Sequence, residues 1–104
     1  MKKTPADTRT VGQKNAQRAA ESYLETSPFS RSGLIKQLEF EKFSKADATW
    51  AVDHIKVNWK EQAAKAAKSY LEMQGFSRGG LIQQLTFEGY TAAEAEYGVT
   101  QAGL

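Results

Sequence analysis

The chain has 104 residues, no cysteine, a single histidine and a formal charge of +2, from 14 Lys and Arg against 12 Asp and Glu. Without cysteine there is neither a disulfide framework nor a thiolate site, and His54 would need three carboxylates beside it to hold zinc, so neither a metal nor a cofactor is expected. No apolar run is long enough to span a bilayer, while 40% hydrophobic residues and only two prolines place the chain among sequences that fold.

The charge is unevenly spread. Residues 1–18 carry five basic groups (Lys2, Lys3, Arg9, Lys14 and Arg18) against Asp7, and residues 19–66 balance at seven of each sign. From Ala67 onward Lys68 and Arg78 stand against Glu72, Glu88, Glu94 and Glu96, a local net of −2. The basic excess thus lies at the N-terminal end, where residues 1–11 read as a basic arm, and the far end is acidic.

Behind the arm the sequence repeats. Tyr23-Leu24 returns as Tyr70-Leu71, and the run from Phe29 to Leu38 returns as Phe76 to Leu85, each 47 residues further on. Residues 20–52 and 67–99 share 18 identities in 33 ungapped positions. The chain is therefore two copies of one unit, residues 12–57 and 58–104. A unit this small buries too little surface to be more than marginally stable alone, so the two are expected to lean on each other.

Within each unit the residues predict three helices. Ala16, Ala19, Ala20, Tyr23 and Leu24 share one helical face, mirrored by Ala63, Ala66, Ala67, Tyr70 and Leu71. This first helix is expected to stop at Ser27-Pro28 in one copy, where proline forbids continuation, and at a left-handed Gly75 cap in the other. The second helix starts after Ser30 or Ser77 as N-cap and carries Leu34, Ile35 and Leu38, or Leu81, Ile82 and Leu85. Gly33 and Gly80 lie in its first turn, where glycine costs roughly 1 kcal/mol relative to alanine; that cost predicts close approach of another helix. Gly89 then suits a left-handed turn, and Lys42 in its place in the first copy is strained by about 1–2 kcal/mol if the geometry is kept.

The third helix opens with the capping pairs Ser44–Asp47 and Thr91–Glu94. It is expected to bury Ala48, Ala51, Val52 and Ile55, or Ala95, Gly98, Val99 and Ala102. Asn58 with Glu61 is a further capping pair where the second unit begins. Trp59, whose counterpart is Gly12, is assigned to packing between units. The expected fold is all-α, two tandem three-helix, helix-turn-helix-like repeats in an elongated molecule.

Few residues suggest chemistry. Arg31 with Glu41 recurs as Arg78 with Glu88 and is read as a bridge fixing the unit's geometry, contributing about 1 kcal/mol if exposed. The repeated aromatics Phe29, Phe40, Phe43 and Trp50, and Phe76, Phe87, Tyr90 and Tyr97, are assigned to the core rather than to stacking on single-stranded nucleic acid. His54 is replaced by Gln101 in the repeat and has no nucleophile near it in sequence. Glu39 and Glu41 point to different sides of a helix, and Gly79-Gly80 has no strand before it to make a phosphate loop, so no catalytic residues are assigned. A DNA-reading helix would use Arg31, Lys36 and Gln37, but its second copy, Arg78, Gln83 and Gln84, lies in an acidic unit and makes a poor phosphate surface.

The segments AKSYL (67–71), GFSRGGLIQQL (75–85) and FEGYT (87–91), followed by Ala95 and Tyr97-Gly98-Val99, resemble the repeat of the host cell surface-exposed lipoproteins, the Ltp-type family of prophages and Gram-positive bacteria. The resemblance covers nearly all of residues 12–103, the first copy departing at Pro28, Lys42 and Trp50. It implies superinfection exclusion: a lipid-anchored module on the outer face of the cytoplasmic membrane that blocks DNA entry by a second phage, with the phage tape measure protein as partner and without catalysis. It also implies a signal peptide and a lipid-bearing cysteine that this sequence lacks. The expectation is an ectodomain apart from its anchor, monomeric and without a specific nucleic acid; the alternative is a cytoplasmic homologue. For a basic partner segment, Glu72, Glu88, Glu94 and Glu96 are the candidate face, while Arg31, Glu41, Gly33, Arg78, Glu88 and Gly80 are structural residues of the repeat. An adaptor or envelope protein sharing the repeat, and a DNA-binding protein, are the competing classes.

Overall fold

The computed structural model describes residues 7–104, so Met1 to Ala6, with Lys2 and Lys3 of the basic arm, lie outside the described residues. These residues form six helices and no strands: α1 (Val11–Thr26), α2 (Arg31–Phe40), α3 (Lys45–His54), α4 (Trp59–Met73), α5 (Arg78–Phe87) and α6 (Ala92–Gln101). The molecule is elongated. Every extensive helix pairing lies within a unit: α3 packs along α1 and α6 along α4, with α2 and α5 completing the two triplets.

Local rules account for where the helices begin. Ser30 and Ser77 accept hydrogen bonds from the Gly33 and Gly80 amides, satisfying a first-turn donor of α2 and α5. Thr91 and Glu94 form the full reciprocal box on α6, and Thr10 with Gln13 forms another on α1. The other two expected boxes are half-made. Ser44 caps Asp47, but the Asp47 carboxylate does not return to the backbone and lies over Gly12, where a Cβ would stand 2.3 Å from it. Asn58 caps the Lys60 and Glu61 amides, while the Glu61 side chain accepts instead from the Tyr97 hydroxyl at 3.2 Å.

The turns after the first helices are alike in the two copies. Ser27 and Gln74 both end their helices in extended backbone, and Gly75 does not take the left-handed conformation expected of it. A residue with ordinary φ suffices there, which is why Pro28 can occupy the equivalent place. The turns after α2 and α5 are left-handed in both copies, at Lys42 (φ 74) and Gly89 (φ 103).

Each unit has its own core. Leu34, Leu38 and Val52 are the large fully buried side chains of the first and Leu81, Leu85 and Val99 those of the second, set among alanines of the paired helices. Half-buried side chains such as Phe43 and Trp50 in the first unit, and the buried Tyr90 in the second, complete the cores, and the alanines let the helices pack closely. Two expectations fail at this level. Phe40 and Phe87, assigned to the core, are 79% and 87% exposed, because the last turn of α2 and α5 directs them away from the triplet. Gly33 and Gly80 are not points of tight helix contact: a Cβ on Gly80 would meet only the Ser77 hydroxyl at 3.0 Å, and one on Gly33 would meet the Ser30 hydroxyl at 2.8 Å and the Glu88 carbonyl at 3.5 Å. The close approach belongs to Gly98, where a Cβ would lie 2.6 Å from the Ala63 backbone.

The units meet at a small polar joint. The Phe29 amide donates to Gln62 Oε1 (3.1 Å), the Ser30 hydroxyl to the Glu88 carbonyl (2.7 Å) and the Ser32 hydroxyl to the Gly89 carbonyl (3.2 Å). Trp59, at the start of α4, packs against the first unit's core, as its lack of a repeat counterpart suggested.

Gly98→Ala is expected to destabilise the protein by about 1–3 kcal/mol through overpacking of α6 on α4, seen as a clear fall in melting temperature. Gly80→Ala is expected to stay within about 1 kcal/mol of the parent, since alanine gains helix propensity there and meets only its own cap. Equal melting temperatures for the two variants would contradict this packing.

Candidate functional site

A feature that both units build from equivalent residues is a shallow groove beside the first helix. In the first unit Ala19, Ser22, Tyr23 and Thr26 of α1 and Glu41 after α2 enclose about 340 Å³. In the second, Ala66, Ser69, Tyr70 and Met73 of α4 with Glu88, joined by Pro28 from the first unit, enclose about 290 Å³. Ala, Ser, Tyr and Glu recur at the same places, 47 residues apart. Only Thr26 and Met73 differ, so the second groove has the more apolar rim, with Met73 79% exposed.

One hydrogen-bonded cluster holds each groove in shape. The Tyr23 hydroxyl donates to the Glu41 carboxylate and Tyr70 to Glu88, while Gln37 and Gln84 each donate to their tyrosine oxygen at 3.3 Å. Gln84 also donates to Glu88 at 2.9 Å. Phe29 and Phe76 pack edge-on against these tyrosine rings, with centroids 5.7 and 5.6 Å apart. The cluster ties the first helix of each unit to the end of the second.

This arrangement corrects the expected ion pairs. Glu41 and Glu88 are engaged by tyrosine, and Arg31 forms a two-pronged pair with Asp53 on the last turn of α3, at 2.7 and 2.8 Å. Arg78 reaches the same position of its own unit, where Thr100 replaces the aspartate, and donates to its hydroxyl at 3.1 Å. Arg31 keeps the Asp53 carboxyl below its ordinary range. A guanidinium so engaged is withdrawn from phosphate contact, which weakens α2 as a DNA-reading helix.

The four candidate acidic residues do not all converge. Glu88 and Glu94 flank the α5–α6 turn around Tyr90, whose phenol is pushed upward first by burial and then by these two carboxylates. Glu94 is partly committed to its capping box, accepting from the Thr91 amide at 3.0 Å. Glu72 and Glu96 are exposed on α4 and α6. Among the described residues the ion pairs are Asp7 with Arg9 and Lys14, and Arg31 with Asp53, all before the second unit, so its carboxylates have no paired cation there.

Sequence reasoning singled out Glu88 and missed its partners. The signal was present, since Tyr, Gln and Glu recur together as Tyr23, Gln37 and Glu41 and as Tyr70, Gln84 and Glu88. Opposite charges drew attention to Arg31 instead.

The six helices define an all-α pair of tandem three-helix repeats, each carrying a like groove. The chain belongs to the host cell surface-exposed lipoprotein family, whose model matches residues 12–55 and again residues 58–101. It is similar to the solved structure of Ltp, a superinfection exclusion protein from the Streptococcus thermophilus temperate phage TP-J34. The TM-score is 0.83 at 28% sequence identity, covering 89% of this chain and 97% of that one. No curated protein matches the chain.

The tyrosine clusters predict a distinguishable titration. The Tyr23 phenol is raised chiefly by its hydrogen bond to Glu41, whereas Tyr70 is raised first by burial and then by Glu88. A raised phenol keeps its proton longer in the folded state, so its contribution to stability is complete below pH ~10 and is lost as pH rises through the folded value. Glu41→Gln is expected to return Tyr23 towards its ordinary range, and Glu88→Gln to leave Tyr70 still elevated. Carbon-13 shifts of the phenol Cζ across an alkaline titration report both; identical responses would contradict the assignment.

Proposed function

We propose that this chain acts in superinfection exclusion: held by a lipid anchor at the outer face of the cytoplasmic membrane, it binds the tape measure protein of an incoming phage and stops DNA entry, without catalysis. The carrying observation is the match of both repeats to the surface-exposed lipoprotein family together with the likeness to Ltp over almost its whole length. Membrane attachment on this reading comes from the anchor, and no helix among the described residues is long and apolar enough to cross a membrane.

The physical argument favours the second unit as the partner face. Its exposed carboxylates Glu72 and Glu96, with Glu88 at the groove wall, lack paired cations, and the adjoining groove offers the apolar rim of Met73. A basic segment of the partner would lay its charge against these carboxylates and its aliphatic stems against that rim. Electrostatics of this kind sets association rate and specificity more than final affinity, and it fades with salt once charges lie beyond a Debye length of roughly 8–10 Å.

The test is binding of the purified chain to recombinant tape measure protein across a salt series, for the parent and for Glu72→Lys/Glu96→Lys. Both substitutions are at exposed positions on the helix surface, so folding is expected to persist. The expected result is a loss of roughly tenfold or more in association rate at low salt with an unchanged melting temperature. Unaltered binding by the reversed variant would remove the acidic face from the account, and no binding by the parent would remove the partner.

A further inference from the structure

The joint between units is built from two unlike surfaces, and because the units are copies, each surface exists twice. The first unit contributes the start of α2, through Phe29, Ser30 and Ser32; the second contributes the Glu88–Gly89 turn and Gln62 of α4. One example of each is used. The start of α5 is the unused counterpart of the first surface, and the Glu41–Lys42 turn with Asn15 is the unused counterpart of the second. A contact between unlike patches is head-to-tail and, unless its rotation closes a ring, adds further copies until something stops it.

The unused surfaces differ from the used ones at the positions the joint needs. Ser32 becomes Gly79, which removes the donor to the turn carbonyl, and Gln62 becomes Asn15, one methylene shorter. Gly89 becomes Lys42, and a Cβ at Gly89 would lie 2.0 Å from the Ser32 hydroxyl and 2.8 Å from the Ser30 hydroxyl. Ser77 retains the Ser30 hydroxyl, so a copy docking at Lys42 would still meet the second of these clashes. Lys42 nevertheless keeps the left-handed backbone, φ 74 against 103 for Gly89, so the turn has the docking shape with an obstructing side chain on it. Glycine would hold that turn without strain, and lysine stands there in its place.

We propose that the two unused surfaces are a head-to-tail docking site for a second copy of this chain, disabled by Lys42, Gly79 and Asn15, so that the repeat joint forms once within a molecule and does not propagate between molecules. Inside the chain the joint forms at the high effective concentration that a short linker provides. Between copies that advantage is gone, and an obstructing side chain with two weakened hydrogen bonds is enough to prevent pairing.

The test is sedimentation velocity over a micromolar-to-millimolar series of the parent, of the triple variant Asn15→Gln/Lys42→Gly/Gly79→Ser, and of that variant with Ser77→Ala added. All three restored positions lie outside the cores: Asn15, Lys42 and Gly79 are exposed, and nothing stands within 4 Å of a Cβ at Gly79. The parent is expected to sediment as a monomer throughout. The triple variant is expected to grow with concentration to no fixed size, and loss of the Ser77 hydroxyl is expected to return it to monomer while melting curves show it still folded. A folded triple variant that stays monomeric over the whole series would overturn the proposal, as would a parent that associates through Lys42 and Gly79.

Discussion

The Ser30 hydroxyl accepts from the Gly33 amide at 2.9 Å and donates to the Glu88 carbonyl at 2.7 Å. One buried oxygen thereby closes the first turn of α2 and sets where the second unit sits. A typical intramolecular hydrogen bond contributes only about 0.5–1.5 kcal/mol net, but this one has no water to replace it, since Ser30 is 3% exposed. With two separate cores and no extensive helix pairing between them, the relative placement of the units rests on this serine, its neighbours at the joint and the Trp59 ring.

Comparison of the two copies separates what a unit needs from what the pair needs. The Tyr, Gln and Glu of the groove cluster are the same in both, as are the capping serines and the large core leucines. At the joint Phe29, Ser30 and Glu88 have identical counterparts, and four other residues differ: Ser32 against Gly79, Gln62 against Asn15, Gly89 against Lys42, Trp59 against Gly12. Duplication gave two equal units, and divergence at the joint made one the donor side and the other the acceptor side. The acidic charge falls on the acceptor side. The resulting molecule presents two related grooves at a fixed separation, the second more apolar and more negative than the first.

Much of this was legible from local rules. Helix starts follow from a single capping side chain, helix faces from periodicity, and the strained turn at Lys42 from its alignment with Gly89, all properties that need no knowledge of the fold. What the sequence hid depends on direction in space. Arg31 opens α2 and Glu41 closes it, a full helix length apart, so Arg31 turns to Asp53, and the repeat conceals the choice because Thr100 replaces that aspartate in the second copy. Phe40 looks like a core residue by type, yet the last turn of α2 carries it outward. Gly80 was credited with a close approach that Gly98 makes, since only the crossing of α6 over α4 shows which glycine meets backbone.

The proposed role, display at a membrane surface where a component of an adsorbed phage is met before DNA crosses, can be tested on whole cells. The most direct measurement is phage DNA entry into cells that display this chain on a lipid anchor, compared with cells that hold the same chain in the cytoplasm and cells that lack it. The account predicts normal adsorption in all three, with DNA entry blocked only where the chain is displayed outside. Undiminished entry into the displaying cells, across phages able to infect that host, would contradict it, as would equal protection by the cytoplasmic chain.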